Sequence, residues 1–442
     1  MLKFTQSSEN INSNGGFSLV SRLLDRNEGM SLWDKYLPSR HNSSYSTSVI
    51  VRSAIGMMTA GYSNFSDVEK LHSDSLFKMV TGGGCVSQET LRQRLDALAG
   101  RKWQDVLDSC VASQLRMAML TRVDVLGQRL VPLDIDVSVL EDKASHKEGV
   151  AMSYHKVSGY APIFAYAGRE GYMVCNELRP GSQHSERGAV DFLKRCVGIM
   201  ECAGYKAGEL LVRVDSGHDS SDFIQALQEL GVKFIVKRNP RGEVPEQMLD
   251  CIRPDATREK PRRGKTVYRC VRGDRKPAGF DGFIGFMAVE AVERTILAKE
   301  PGQLLLVPEV EVDSWWTNLP VAVAECVALY HAHGTSEQFH SELKSDMGVE
   351  LMPSGTFRTN ALFLGLAAIA FNCLRFIGQT AWGKAPRKTK KEQERRRFRL
   401  RTVILDFIKV GCKLVRHANC LMLKFGKWCP AFHILKEVYA LC

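Results

Sequence analysis

Leu130-Val-Pro-Leu-Asp134-Ile-Asp136-Val-Ser138 is the stretch that decides how this chain is read. From Arg129 to Val139 the residues suit a strand buried on both faces, and that strand ends in acids. A buried strand closing on carboxylates presents them at a sheet edge, where α/β proteins place their chemistry. Aspartates at i and i+2 point to the same side of the strand. Many strands end in Asp at a turn, so the stretch by itself indicates an architecture and no activity.

Working outward, strands alternate with helices. Tyr160 to Tyr166 and Tyr172 to Leu178 read as a hairpin around Gly168-Arg-Glu-Gly. Gly188 to Gly204 reads as a helix, Glu209 to Val214 as a strand, Ser221 to Leu230 as a helix and Lys233 to Lys237 as a strand. The fold class is therefore α/β. Upstream, residues 1 to about 15 are rich in Ser, Asn and Gly and read as a loose arm, and Ser46 to about Leu120 is helical. Ser87 caps a helix over Gln88 to Leu98 that, with Arg92 and Arg94 and apolar Leu91, Leu95 and Leu98, reads either as an ordinary amphipathic helix or as a recognition helix. Downstream, Val267 to Val271, Phe283 to Ala291 and Gln303 to Val307 suggest a small inserted β-sheet, and Trp316-Thr-Asn-Leu resumes the core. Val321 to about Lys344 and Asn360 to Ile377 read as long helices, and the last forty residues as helical again. The expected division is a helical DNA-binding region (1–120), a core in two parts (121–238 and 313–380), an inserted β-rich subdomain (239–312) and a basic helical C-terminal region (381–442).

Composition sets the bounds. A chain of 442 residues can bury two or three cores. Lys and Arg exceed Asp and Glu by 60 to 49, a charge of +11 that favours a polyanionic partner without proving one. The thirteen cysteines form no C-x-x-C pair, which argues against a zinc ribbon or disulfide framework and for reduced thiols in the cytoplasm. No apolar run follows Met1-Leu-Lys-Phe, so no signal peptide is expected. The apolar stretch near Ala361 to Leu374 falls short of the ~20 residues a bilayer needs and reads as a core helix.

Two more stretches carry chemistry. Leu210-Leu-Val-Arg213-Val-Asp215-Ser-Gly217 is an apolar strand running into an acid, with a glycine for a sharp turn. Tyr330-x2-His333-x3-Glu337-x2-His340-x3-Lys344 sets five polar side chains at helical spacing on one face, beside the apolar Val327, Leu329, Phe339 and Leu343. Three carboxylates on a sheet edge and a helix suit two divalent cations about 4 Å apart, which stabilise the attacking and leaving oxygens of an in-line phosphoryl displacement. Hard Mg²⁺ prefers such oxygens. Lys344 would then touch the phosphate backbone.

These residues resemble the DDE transposases of bacterial insertion sequences, in the branch marked by Tyr-x2-Arg-x3-Glu-x6-Lys. Tyr330, Glu337 and Lys344 match that signature, and His333 stands where it has arginine. Asp136-Val-Ser138 matches the first-Asp motif and Arg213-Val-Asp215 the second; Leu178-Arg-Pro-Gly-Ser, Thr317-Asn-Leu, Glu342-Leu-Lys and Asn360-Ala-Leu-Phe-Leu also look familial. The resemblance covers about residues 45 to 380. It implies a ribonuclease H-like core with an inserted β-subdomain, and Asp136, Asp215 and Glu337 as catalytic residues holding two Mg²⁺ or Mn²⁺ ions. Tyr330, His333, Lys344, Arg92, Arg94 and Arg213 would contact DNA. The implied activity is cut-and-paste transposition: cleavage at terminal inverted repeats through a DNA hairpin, then strand transfer to target DNA. A homodimer would act on double-stranded DNA at the nucleoid, away from membranes.

Other readings compete. His331, His333, Glu337 and His340 could ligate zinc in a hydrolase, although the H-E-x-x-H order is absent. A non-catalytic, domesticated DNA-binding protein would have no need to hold three acids against a polyanion. Gly264-Lys-Thr is the one P-loop-like triplet, and Glu259 stands where the phosphate cradle needs glycine. The run from Lys384 to Arg401 holds ten Lys or Arg against two Glu and is either a DNA contact or a solvated linker.

Overall fold

A computed structural model describes residues 2–6, 8–39, 43–143, 146–277, 279–280, 282, 284–296, 303–385, 397–418 and 420–442. The bulk of the basic run, 386–396, lies outside the described residues, as does Phe283 at the expected start of a strand.

After a short strand β1 (Ile11–Asn12), six helices form the N-terminal region: α1 (Phe17–Asp25), α2 (Leu32–Tyr36), α3 (Thr47–Thr59), α4 (Ser75–Thr81), α5 (Gln88–Ala99) and α6 (Gln104–Met117). Their starts follow from capping. Ser46 accepts from Val49 N, Asp74 from Leu76 N and Phe77 N, and Ser87 from Thr90 N. The expected loose arm is ordered at its end: Asn14 Nδ2 donates to Asp74 Oδ2 at 2.9 Å, and Asn12 Oδ1 accepts from Ser75 N at 2.7 Å. Those asparagines are buried because their amides satisfy the start of α4.

The centre is a ten-stranded mixed sheet. In chain order the strands are β2 (Val123–Val125), β3 (Gln128–Val137), β4 (Leu140–Glu141), β5 (Ala151–Met152), β6 (Ser158–Tyr160), β7 (Ile163–Ala167), β8 (Tyr172–Glu177), β9 (Leu210–Val214), β10 (Lys233–Lys237), β11 (Thr257–Arg262), β12 (Lys265–Arg272), β13 (Phe286–Ile296) and β14 (Leu304–Thr317). The sheet runs β11-β12-β13-β14-β10-β9-β3-β7-β8, with β2 on β3, while β4, β6 and β5 form a small sheet of their own. Helices α7 (Ala189–Cys202), α8 (Ser221–Glu229) and α9 (Pro245–Ile252) connect strands. Helix α12 (Phe357–Lys384) packs against β8, α3, α5 and α6. It is long and apolar enough to cross a membrane, and its apolar window is 89% buried inside the protein.

Three expectations are corrected. The strands of residues 239–312 are no separate sheet: β14 is one strand of 14 residues that crosses the expected boundary at 312 and pairs with β10 of the core. Trp315 and Trp316, both buried, fill the join. The last forty residues are not all helical. Two further strands, β15 (Cys412–His417) and β16 (Cys420–Phe425), form a hairpin, and β1 pairs with β15. Val415, Leu414 and their cross-strand partners Met422 and Leu423 make paired apolar contacts that override helix propensity. The helix expected over Val321 to Lys344 is broken. Helix α10 (Val323–His331) passes into a 3₁₀ turn (Ala332–Thr335) containing Gly334, then α11 (Ser336–Ser341) and a π-helical turn (Glu342–Asp346). All thirteen cysteines are free thiols.

Candidate functional site

Strands β3 and β9 run parallel, with Asp134 opposite Arg213 and Ile135 opposite Val214. Continuing that register sets Asp136 beside Asp215 at the ends of two adjacent strands. The inner pair is closed: Arg213 Nε donates to Asp134 Oδ1 at 2.6 Å, Nη2 to Oδ2 at 2.8 Å and Nη1 to the Leu329 carbonyl at 2.6 Å. Both side chains are at most 3% exposed. Arg213 was expected against DNA; buried and fully paired, it instead ties β9 to β3 and to the end of α10. Burial alone would raise the Asp134 carboxyl, but Arg213 and His333 outweigh it and hold it below the usual carboxylate range. Asp134 is thus engaged on three sides, and Asp136, 19% exposed, is the acid of this strand that faces outward.

Asp215 is 49% exposed. Its Oδ1 accepts from Gly217 N at 3.1 Å and lies 2.9 Å from His218 Nδ1. Gly217 leaves room there for Ser185, whose Oγ would lie 2.8 Å from a Cβ at this position. Burial pushes the Asp215 carboxyl up, but His218 and the Gly217 amide pull it below its ordinary value, so it stays ionised. His218 is fully buried and its Nε2 has no hydrogen-bond partner among the described residues.

The broken helical segment is fastened over these acids by side chains at helical spacing. His333 Nδ1 stands 3.1 Å from Asp134 Oδ1; burial would lower this imidazole, yet Asp134 raises it overall. Ser336 Oγ donates to Asp136 Oδ2 at 3.3 Å, and His340 Nε2 lies 3.3 Å from the same oxygen. Tyr166 OH lies 3.3 Å from His340 Nδ1. A proton on Nε2 satisfies both contacts, with the tyrosine hydroxyl donating to Nδ1. Beyond the site, Glu342 is buried between Arg375 Nη2 at 2.8 Å and Arg397 Nη1 at 2.5 Å, which binds the segment to α12 and to the described C-terminal part of the basic run.

Glu337 is exposed on α11 between Ser336 and His340, and its side chain makes no hydrogen bond or ion pair among the described residues. Tyr330 packs on Trp315 and His333 at ring distances of 5.7 and 5.8 Å. Burial, then Asp215 and Asp136, push its hydroxyl up; the same causes, with Asp136 ahead of Asp215, raise Tyr154 to about 12. Both tyrosines therefore sit neutral in the field of both acids. Lys344 is half-buried, and burial lowers its ammonium. The two arginines of α5 are remote from this cluster. Arg92 pairs with Glu89 and Asp96 on its own helix, and Arg94 Nη1 donates to the Tyr45 carbonyl at 3.1 Å and bonds Ser43 and Ser39.

Among the described residues no three His, Cys, Asp or Glu side chains converge closely enough to form a ready metal cage. The zinc alternative loses its ligands, because His333 faces Asp134, His340 faces Asp136 and His331 is exposed. What remains outward are carboxylates, the hard oxygen donors that suit Mg²⁺ or Mn²⁺. Sequence reasoning missed Ser336, His218, Tyr154 and Tyr166, and assigned His340 only to zinc. One signal was available. Aligning Asp136 with Asp215 on parallel strands forces Asp134 onto Arg213.

Comparison with known proteins adds three findings. No curated protein matches the chain. Among solved structures, a piggyBac transposase synaptic complex with hairpin DNA is similar at a TM-score of 0.44 and 10% identity, over 89% of this chain and 79% of that one. A family described as "Transposase DDE domain group 1" matches residues 2–441, so the chain belongs to that family of transposase DDE domains.

Proposed function

We propose that this protein is the transposase of a bacterial insertion sequence, in the Tyr-Arg-Glu-Lys branch, with a ribonuclease H-like core. In this reading it cuts DNA at terminal inverted repeats and joins the ends to target DNA. The carrying observation is the juxtaposition of Asp136 and Asp215 on adjacent parallel strands, under a helical segment that contacts Asp136 and carries Glu337. These three carboxylates would hold two Mg²⁺ or Mn²⁺ ions, which when bound supply charge stabilisation to the attacking and leaving oxygens.

The chain's own groups do the rest. His340 and Ser336 hold Asp136 in place through the same one of its two oxygens. The Asp134–Arg213 pair fixes the register of the two strands. Tyr330, neutral and packed against Trp315, and Lys344 would grip the phosphates flanking the cut. In the first step a water oxygen forms the new P–O bond and the 3′-oxygen departs with a proton. In the second, that 3′-hydroxyl attacks a phosphodiester, of the opposite strand for a hairpin or of the target for transfer, forming a new P–O bond as that phosphodiester's own 3′-oxygen leaves and takes up the proton. Two copies would act on paired ends.

A plasmid excision assay tests this. Asp136→Asn, Asp215→Asn and Glu337→Gln should each abolish cutting while leaving binding to a terminal-repeat duplex intact. Retained excision by any one removes that residue from the site, and excision by Asp136→Asn but not by Asp134→Asn moves the first ligand to Asp134.

A further inference from the structure

The strands beyond the core reach past the carboxylate edge. By register Lys237 of β10 lies level with Asp215, and Lys237 pairs with Trp315 of β14. Everything in β14 before Trp315 therefore projects beyond the acids, back to Leu304, which pairs with Ile296 of β13. Within this projection, Lys265 of β12 pairs with Arg294 of β13 and Arg294 with Glu309 of β14, six residues before Trp315, which at about 3.3 Å per residue is roughly 20 Å beyond the acids, a little over half a turn of duplex DNA. At that level sits the turn Arg262-Arg263-Gly264-Lys265 between β11 and β12.

That turn is held firmly. Gly264 has φ +72, its carbonyl accepts from Thr295 N at 2.9 Å, and a Cβ on it would lie 2.5 Å from Ile296. The triplet that resembled a P-loop thus has a different role, as a tight hairpin turn clamped to β13. Its charges also differ from those nearby. Several arginines nearby are matched to acids: Arg253, just after α9, to Glu293 at 2.9 Å, Arg269 of β12 to Glu290 at 2.6 Å and Arg294 of β13 to Glu311 at 2.8 Å. Lys260, Arg262 and Arg263 are exposed and have no acidic partner among the described residues. Basic side chains and Pro261 also protect a free sheet edge from pairing, but that purpose does not require a cluster at the tip.

We propose that this basic hairpin tip, Lys260 with Arg262 and Arg263, grips the phosphate backbone of the DNA duplex a little over half a helical turn from the point of cutting. The inference rests on the transposase reading and adds a contact surface to it. The test uses the full-length protein and the triple variant Lys260→Gln, Arg262→Gln, Arg263→Gln. Fluorescence anisotropy would follow binding to a duplex of about 30 base pairs across a salt series. The expected result is a shallower slope of log K against log salt, by about 0.9 per phosphate contact and up to about 2.7 for three. Arg262→Lys, Arg263→Lys should keep the original slope, and the thermal midpoint of the triple variant should match wild type. Identical slopes for wild type and triple variant overturn the proposal even if cutting is normal. A fall in slope upholds it even where wild type binds but fails to cut, a result that would count against the catalytic reading alone.

Discussion

Removing Arg213 or Asp134 singly should damage the protein more than removing both. Arg213→Met leaves Asp134, 1% exposed, with His333 as its remaining ionic partner and strips the Leu329 carbonyl of its donor. Asp134→Asn leaves a guanidinium buried without its counter-charge. Breaking one side of such a pair costs about 3–5 kcal/mol, whereas replacing both charges with neutral groups of similar volume is close to neutral. Unfolding entropy of about 2.1 cal/mol/K per residue over 442 residues is roughly 0.9 kcal/mol/K, so each single variant should melt about 3–5 °C lower. The double variant Asp134→Asn, Arg213→Met should recover to within about 2 °C of wild type. Scanning calorimetry of the four proteins at one pH forms a double-mutant cycle. Single variants each within about 1 °C of wild type, or a double variant as unstable as the two losses added, would refute the claim that this buried pair joins the strands carrying Asp136 and Asp215.

Two further outcomes follow from the same geometry. His333 is raised above its usual 6.5 by Asp134, so its contribution is complete below that pH and disappears as pH rises through the raised value; the Asp134 contribution is complete above 3.8 and is lost only as pH falls through its lowered value. Thermal midpoints of wild type should therefore decline above about pH 6.5 relative to His333→Arg, and parallel curves for the two proteins would contradict it. Gly171→Ala should cost about 2–4 kcal/mol and slow cutting, because its φ is +73 and the new Cβ would lie 2.3 Å from the Phe339 ring on the segment that carries Glu337; Gly82→Ala, at φ +87 with nothing within 4 Å, should show only the backbone cost of about 1 kcal/mol, and equal losses would remove the steric argument.

Periodicity was enough to locate the strands under the acids, because β3, β9 and β10 are short apolar runs bounded by turns. Ser46, Asp74 and Ser87 marked helix starts for a local reason, a side-chain oxygen one turn from an amide. Long-range pairing was less accessible. Nothing local says that Leu304 to Thr317 is one strand joined to Lys233–Lys237, since the pairing depends on two tryptophans filling a join 80 residues away. The C-terminal hairpin was missed for a similar reason: Cys412–His417 is stabilised by Ile11 and Asn12 from the other end of the chain. Within the candidate site, Asp136, Asp215 and Glu337 were legible as acids at strand ends and on a polar stripe. Their holders were not, because Ser336 and His340 meet Asp136, and Tyr166 meets His340, only in three dimensions.

The interrupted helix has a mechanical meaning. In a continuous helix every turn is braced by the next, and tilting one side chain's backbone strains several hydrogen bonds together. Between His331 and Asp346 the ladder changes from α to 3₁₀ to α to π, so this stretch has lost much of that mutual bracing. Its position is fixed instead by discrete bolts, His333, Ser336, His340 and Glu342, each fastened to a different partner. Such a segment is compliant between its fixings, and local opening there should take less free energy than in α12. Glu337 sits between two of these fixings, so in the function proposed above the third acid would adjust its approach to the other two without disturbing the sheet that carries them.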